Sequence, residues 1–249
     1  VADFLQTEQG RQIAYHKTEG QGPCVVFLGG LKSDMEGTKA VHLEAWCKTQ
    51  GRAFLRFDYS GHGESSSTFE EGCIGDWHED SLAAVNTLIE GSYVLVGSSM
   101  GGWQSLLLAR AQPERLTGLV TIAAAPDFTE DSYWAGFDDS QKEALKTVGH
   151  VELPSDYMEP YIITKRMIED GRENLVLRTP LAFNCPVRFL QGTEDSAVST
   201  ETAVRLLEHA EGADMRLLLV KGADHRFSDE TCLGLIEDAV TDVIAAAEV

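Results

Sequence analysis

Apolar positions in this chain gather into short unbroken runs, separated by stretches in which apolar and polar residues alternate at helical spacing. Cys24-Val25-Val26-Phe27-Leu28 and Tyr93-Val94-Leu95-Val96 contain no polar residue. Runs of this length and composition fit strands buried on both faces. Ala53–Tyr59, Leu116–Ala125, Pro186–Gln191 and Met215–Lys221 read as further strands. Helical patterns fall between them, near Gly37–Gln50, Asp76–Glu90, Ser99–Gln112, Thr200–His209 and Glu230–Ala247. In the last of these, Leu233, Ile236, Val240 and Ile244 share one helical face. At the start, Asp3–Thr7 and Arg11–Thr18 flank the turn Glu8-Gln9-Gly10 and predict an antiparallel hairpin, with Gly20-Gln21-Gly22-Pro23 as a loop.

Strands alternating with helices imply βαβ units, hence an α/β fold with a mostly parallel central sheet flanked by helices. The segment Asp127–Ala182 interrupts the alternation. It is acidic, broken by Pro154 and Pro160, and rich in aromatics: Phe128, Tyr133, Trp134, Phe137, Tyr157 and Tyr161. It reads as a short helical insertion, a cap over about 127–182, within one domain spanning 1–249. No internal repeat or low-complexity tract is evident.

Charge narrows the function classes. Asp and Glu number 40 against 20 Lys and Arg, a formal net charge of −20. Nucleic-acid phosphates and anionic membrane surfaces both demand cations, so neither is an expected partner. The acids are dispersed, as on a well-solvated surface, and adaptation to high salt is a sharper reading of the same balance. The five cysteines are widely spaced with no CxxC pair, so a disulfide framework and a zinc site are not expected and a reducing, cytoplasmic compartment is. No apolar run reaches the ~20 residues of a membrane span, and no signal-peptide pattern precedes the first strand. The chain opens on Val1 rather than Met, which fits removal of a leader or tag.

The chemistry concentrates at Gly97-Ser98-Ser99-Met100-Gly101, a Gly-x-Ser-x-Gly pattern joining a strand to a helix. In that context it is the signature of a nucleophile elbow, a tight turn that lifts the serine clear of the sheet. Flanking glycines avoid clashes, and the helix N-terminus favours a developing oxyanion. Ser98 is out of register with the pattern. A serine nucleophile needs a base, and the fold orders the chain as Ser, acid, His. His225 follows the last predicted strand, whereas His150 falls within the insertion and His209 at a helix end. Asp195, just past Pro186–Gln191, is the favoured acid. Glu194 is its neighbour, Asp127 a rival from the preceding strand, and Asp224 is expected to point away. Oxyanion donors are expected from the backbone N–H of Met100 and of Leu31, the latter in Gly29-Gly30-Leu31.

Several of these stretches match one family. Gly29-Gly30-Leu31-Lys32-Ser33-Asp34-Met35, Arg56–Gly63, Val96–Trp103, Ala125–Thr129, Leu153–Tyr157 and Asp224-His225-Arg226 carry the match. The chain resembles bacterial relatives of the mitochondrial α/β-hydrolases that depalmitoylate proteins and hydrolyse acyl-glucuronides. That resemblance implies the triad Ser99, Asp195 and His225, a small cap, no cofactor, and a small acyl ester or thioester, or an acylated protein, as substrate. It also weakens Asp127 as the acid, and implies a mitochondrial matrix location if the source is eukaryotic. The chain departs from the pattern at Ser196-Ala197-Val198-Ser199, where Val-Pro is expected.

The expected reaction is therefore acyl transfer to water by a serine esterase or thioesterase. Alternatives are a cofactor-free perhydrolase on the same triad and a non-catalytic ligand-binding relative. Arg226 is expected to form a surface salt bridge, or to meet a substrate carboxylate.

Overall fold

The computed structural model describes residues 1–154 and 160–247. The expected hairpin forms first, β1 (Asp3–Gln6) pairing antiparallel with β2 (Gln12–Thr18). Then β3 (Gln21–Leu28), α1 (Thr38–Thr49), β4 (Arg52–Phe57), α2 (Ile74–Leu88), β5 (Tyr93–Ser98), α3 (Met100–Ala111) and β6 (Leu116–Ile122) alternate. Beyond β6 lie a π-helical turn (Thr129–Trp134), α4 (Asp139–Thr147), β7 (His150–Leu153), β8 (Tyr161–Thr164) and α5 (Lys165–Glu173). After the short β9 (Ala182–Phe183) the alternation resumes with β10 (Val187–Gly192), α6 (Thr200–His209), the short β11 (Glu211–Gly212), β12 (Met215–Val220) and α7 (Glu230–Ala247).

Eight strands form the central sheet in the order β1-β2-β4-β3-β5-β6-β10-β12. From β4 to β12 all pairings are parallel, and β2 runs antiparallel to both its neighbours. The chain proceeds from β3 to β4 on one side and returns to β5 on the other. That reversal opens a crevice at the carboxyl ends of β3 and β5.

The unbroken apolar runs have a direct cause. Val25 and Phe27 enter one core layer with Leu43 of α1 and Ile236 and Val240 of α7. Val26 and Leu28 enter the other with Trp77 of α2 and Leu106 of α3. Successive side chains face opposite sides of a strand, so a sheet covered on both faces needs every position apolar. All five cysteines are buried free thiols, and burial pushes those of Cys24, Cys47 and Cys73 up to about 12.

Three local expectations change. Gly20–Pro23 is not wholly loop: β3 starts at Gln21, paired with Arg52, and a register break before Val25 absorbs Pro23, which has no N–H to give. Strand β6 stops at Ile122 because Ala123 turns to φ 48°. The segment between β6 and β9 is not purely helical, since β7 and β8 pair antiparallel. Of the family-matching stretch Leu153–Tyr157, Ser155, Asp156 and Tyr157 lie outside the described residues.

Buried polar groups fix the loop that follows β3. Asp58, just past β4, accepts from Met35 N–H at 2.6 Å and from Glu64 N–H at 2.9 Å. Arg56 donates to the Met35 carbonyl and to Glu44, both at 2.7 Å. The Arg56–Gly63 stretch thus serves architecture, holding Gly29–Met35 beside the carboxyl end of β5.

Candidate active site

Ser99 sits at the junction of β5 and α3 with φ 55° and ψ −117°, a conformation a side-chain-bearing residue rarely adopts. Its backbone is pinned on both sides. Ser99 N–H donates to Ile122 O at 2.9 Å, and its carbonyl accepts from Gly102 and Ala125 N–H at 2.9 and 3.1 Å. A Cβ on Gly97 would lie 2.2 Å from Gly101 O, and one on Gly101 would lie 2.0 Å from Leu28 O. Only glycine fits at either place, which is why the pattern has these residues at this spacing.

His225 lies in the loop after β12. Its Nε2 is 3.1 Å from Ser99 Oγ and its Nδ1 is 2.8 Å from Asp195 Oδ2. Asp195 follows β10, and its side chain is fully buried. Its other oxygen, Oδ1, accepts from Ala197 and Val198 N–H, both at 2.8 Å. Burial pushes the pKa of this carboxyl up, but the His225 contact and the two backbone N–H groups outweigh it and hold the pKa below its ordinary value. Within the departing stretch Ser196–Ser199, Val198 supplies one of these N–H groups and Ser199 caps α6, its side chain accepting from Thr202 N–H. The loops that carry Asp195 and His225 also touch. Glu194 N–H donates to Ala223 O at 3.0 Å, and a Cβ on Gly192 would fall 2.2 Å from that same oxygen.

The rival acid is occupied elsewhere. Asp127 is fully buried and accepts from Val176 N–H at 2.8 Å, Leu177 N–H at 3.0 Å and the Arg178 guanidinium at 2.7 Å. It ties the start of the insertion to its return segment. Asp224 points away as expected, accepting from Phe227 N–H at 3.0 Å. His209 contacts the Val176 and Thr179 carbonyls rather than the serine. Arg226 forms no salt bridge among the described residues, contrary to expectation; its carbonyl accepts from Lys39 Nζ at 2.5 Å.

One residue at the site was not anticipated. Gln191, the last-but-one residue of β10, is buried and donates to Asp195 Oδ2 at 3.0 Å and to the Val198 carbonyl at 3.0 Å. An amide near the end of a strand, four residues before an acid, was the available signal.

The loop after β3 closes the other side. A Cβ on Gly30 would stand 3.4 Å from Ser99 Cβ, so this loop runs against the serine. Neither Leu31 N–H nor Met100 N–H donates to another backbone group among the described residues. Both residues line a cavity of about 460 Å³ that also exposes Ser99. Its apolar wall includes Phe128, Tyr133 and Leu177. Rings run from Trp103 of α3 through Phe128 to Tyr133, edge to face at 5.5 and 5.2 Å, and fasten the insertion to the sheet. No group of described residues is arranged to hold a metal ion, and no described helix is long and apolar enough to cross a membrane.

A serine on a strained strand-to-helix turn, on a doubly covered parallel sheet, defines the α/β-hydrolase class. Residues 23–167 match the family model Hydrolase_4, described as serine aminopeptidase, S33. The mitochondrial palmitoyl-protein thioesterase ABHD10 of Bos taurus is 34% identical over 243 residues, 97% of this chain and 79% of the relative. Among solved structures, a protein from Agrobacterium vitis S4 superposes with a TM-score of 0.93 at 36% identity, covering 98% of each chain. The mouse α/β-hydrolase domain-containing protein 10 does so with a TM-score of 0.90 at 31% identity, again over 98% of each. The chain belongs to the Hydrolase_4 family of α/β-hydrolases, and it is a hydrolase.

Proposed function

We propose that the protein hydrolyses carboxylic esters or thioesters through an acyl-enzyme on Ser99. The observation that carries this reading is the hydrogen-bonded line from Ser99 Oγ through His225 to a buried Asp195, opening into the 460 Å³ cavity. His225 takes the Ser99 proton as Oγ attacks the acyl carbon. The N–H groups of Leu31 and Met100 receive the oxyanion. His225 then protonates the departing alcohol or thiol, and water, deprotonated by the same imidazole, releases the acid. Asp195 keeps the imidazole in the tautomer with its proton on Nδ1 and stabilises the imidazolium.

The segment 127–182 acts as a cap in this reading, supplying Phe128, Tyr133 and Leu177 as the apolar wall for the acyl chain. The thioesterase activity named for the relatives supports thioesters within the substrate class. Reduced, buried thiols support a reducing compartment such as the cytoplasm or mitochondrial matrix. A fluorophosphonate probe tests the proposal: it should label Ser99 in wild type, and Ser99→Ala should lose both labelling and p-nitrophenyl ester turnover while keeping its circular dichroism. Turnover undiminished in that variant refutes it.

A further inference from the structure

The cavity at Ser99 is not apolar throughout. Ser199, Thr202 and Arg205 also line it. These residues recur every third position from the N-cap of α6, so they form one polar face of that helix. Arg205 gives a single hydrogen bond, to Asp131 Oδ2 at 2.8 Å. A guanidinium carries five donors, so most of this one is unspent among the described residues.

Asp131 itself is engaged through both oxygens. It accepts from Arg205 and, through both oxygens, from Arg178. Burial opposes its ionisation, but the two arginines outweigh that and hold its carboxyl below the ordinary value. Arg178 is further engaged by Asp127, whose charge is also met by two backbone N–H groups. Carboxylates and guanidiniums balance in number here, two of each, and Arg205, half-exposed and lining the cavity, has donors left over. Hydroxyls of Ser199 and Thr202 stand beside it, within 3.4 Å of each other.

We propose that Arg205, with Ser199 and Thr202, forms an anion-accepting pole of the acyl cavity, and that the preferred substrates carry a carboxylate on the acyl portion. This rests on the acyl-enzyme reading above and specifies its substrate class. Esters or thioesters of dicarboxylic acids fit: one carbonyl is attacked by Ser99, the apolar wall contacts the methylenes, and the free carboxylate reaches the guanidinium. Such an ion-paired hydrogen bond is geometrically selective in a way an apolar wall is not. On a chain of net charge −20, bulk electrostatics repels an anionic substrate, so selection for one has to come from local donors.

The test compares p-nitrophenyl hexanoate with p-nitrophenyl hydrogen adipate, equal in length and differing only in the terminal group. The quantity read is the ratio of kcat/KM for adipate over hexanoate. Wild type should favour the adipate ester, and Arg205→Met should lower the ratio about tenfold, mainly through KM. Arg205→Lys should restore part of the ratio. Asp131→Asn removes the latch between cap and α6 but keeps the arginine, and should hold or raise the ratio.

A ratio that does not fall in Arg205→Met overturns the proposal. So does a ratio that falls equally in Asp131→Asn, because Arg205 would then act only as a latch. If wild type hydrolyses hexanoate but shows no preference for adipate, the anionic pole fails while the acyl-enzyme reading stands. If it hydrolyses neither ester, and no probe labels Ser99, both readings fall together.

Discussion

Asp195 and Asp127 are both buried aspartates near the insertion, and one substitution at each separates their parts. Asp195→Asn keeps the shape but removes the charge opposite His225 and allows the wrong imidazole tautomer. Ester turnover should fall roughly a thousandfold or more with little change in unfolding midpoint. Asp127→Asn breaks a buried carboxylate from three donors and should cost about 3 kcal/mol in urea unfolding. Its remaining folded molecules should keep their turnover to within about tenfold. The reverse pattern would make Asp127 the acid. Gln191→Leu, which withdraws one donor from Asp195, should lower kcat about tenfold and leave KM near wild type. An unchanged kcat would leave Gln191 a purely structural residue. Both aspartates were visible in the sequence as acids following strands. What each one touches was not, because Val176, Leu177 and Arg178 lie about fifty residues from Asp127 along the chain.

At the scale of elements, the elbow depends on how closely α3 approaches β3 and β5. The Cβ of Gly101→Ala would meet the backbone oxygen of Leu28, which no rotamer can relieve. We expect destabilisation of about 3 kcal/mol or failure to fold, read from soluble yield and urea midpoint. Ser99→Ala, in the same motif, should fold normally, since the positive φ is tolerated in the native chain with a side chain already present. A soluble, stable Gly101→Ala would show that the close approach is not required. Element identities were largely legible. The run Tyr93–Val96, the glycine spacing and the α7 stripe each fixed an element by local pattern alone. The hairpin of β7 and β8 was not, because Pro154 and Pro160 stand between its strands and His150 pairs with Thr164 from beyond both of them.

For the whole molecule, two histidines remote from Ser99, His62 buried and His78 half-buried, set an acid limit. Burial lowers His62 and His78 to about 4, with Lys32 adding to the effect at His62 and Arg110 at His78. His62 Nε2 and His78 Nδ1 have no hydrogen-bond partner among the described residues. In the unfolded chain these rings take up protons near pH 6.5. Between about pH 6.5 and pH 4 the unfolded state therefore binds more protons, and stability that is complete above about 6.5 is lost as the pH falls. Each ring contributes at most on the order of 3 kcal/mol. Urea midpoints measured from pH 7.5 to pH 4 should decline in wild type and decline less steeply in His62→Phe, whose ring would remain among Tyr59, Phe69 and Trp77. Parallel slopes would exclude His62 as a contributor. Self-repulsion from the net charge of −20 adds a second expectation: Tm should rise between low salt and about 0.5 M NaCl, where screening shortens the range of repulsion to a few ångströms. A flat response would mean that the acids are already compensated locally.

The sequence by itself determined the layered α/β sheet and the elbow turn at Ser99, and it pointed to His225 as the base proposed here. Each is written in a local signal: apolar runs, glycines at fixed spacing, and chain order after the last strand. Only the tertiary structure set Asp195 against His225 and Asp127 against Val176–Arg178, brought Gln191 beside Asp195, and placed Ser199, Thr202 and Arg205 on the cavity that Ser99 lines. Those facts depend on which residues far apart in the chain come within hydrogen-bond distance, and that is decided by packing of the sheet and its insertion rather than by any local pattern.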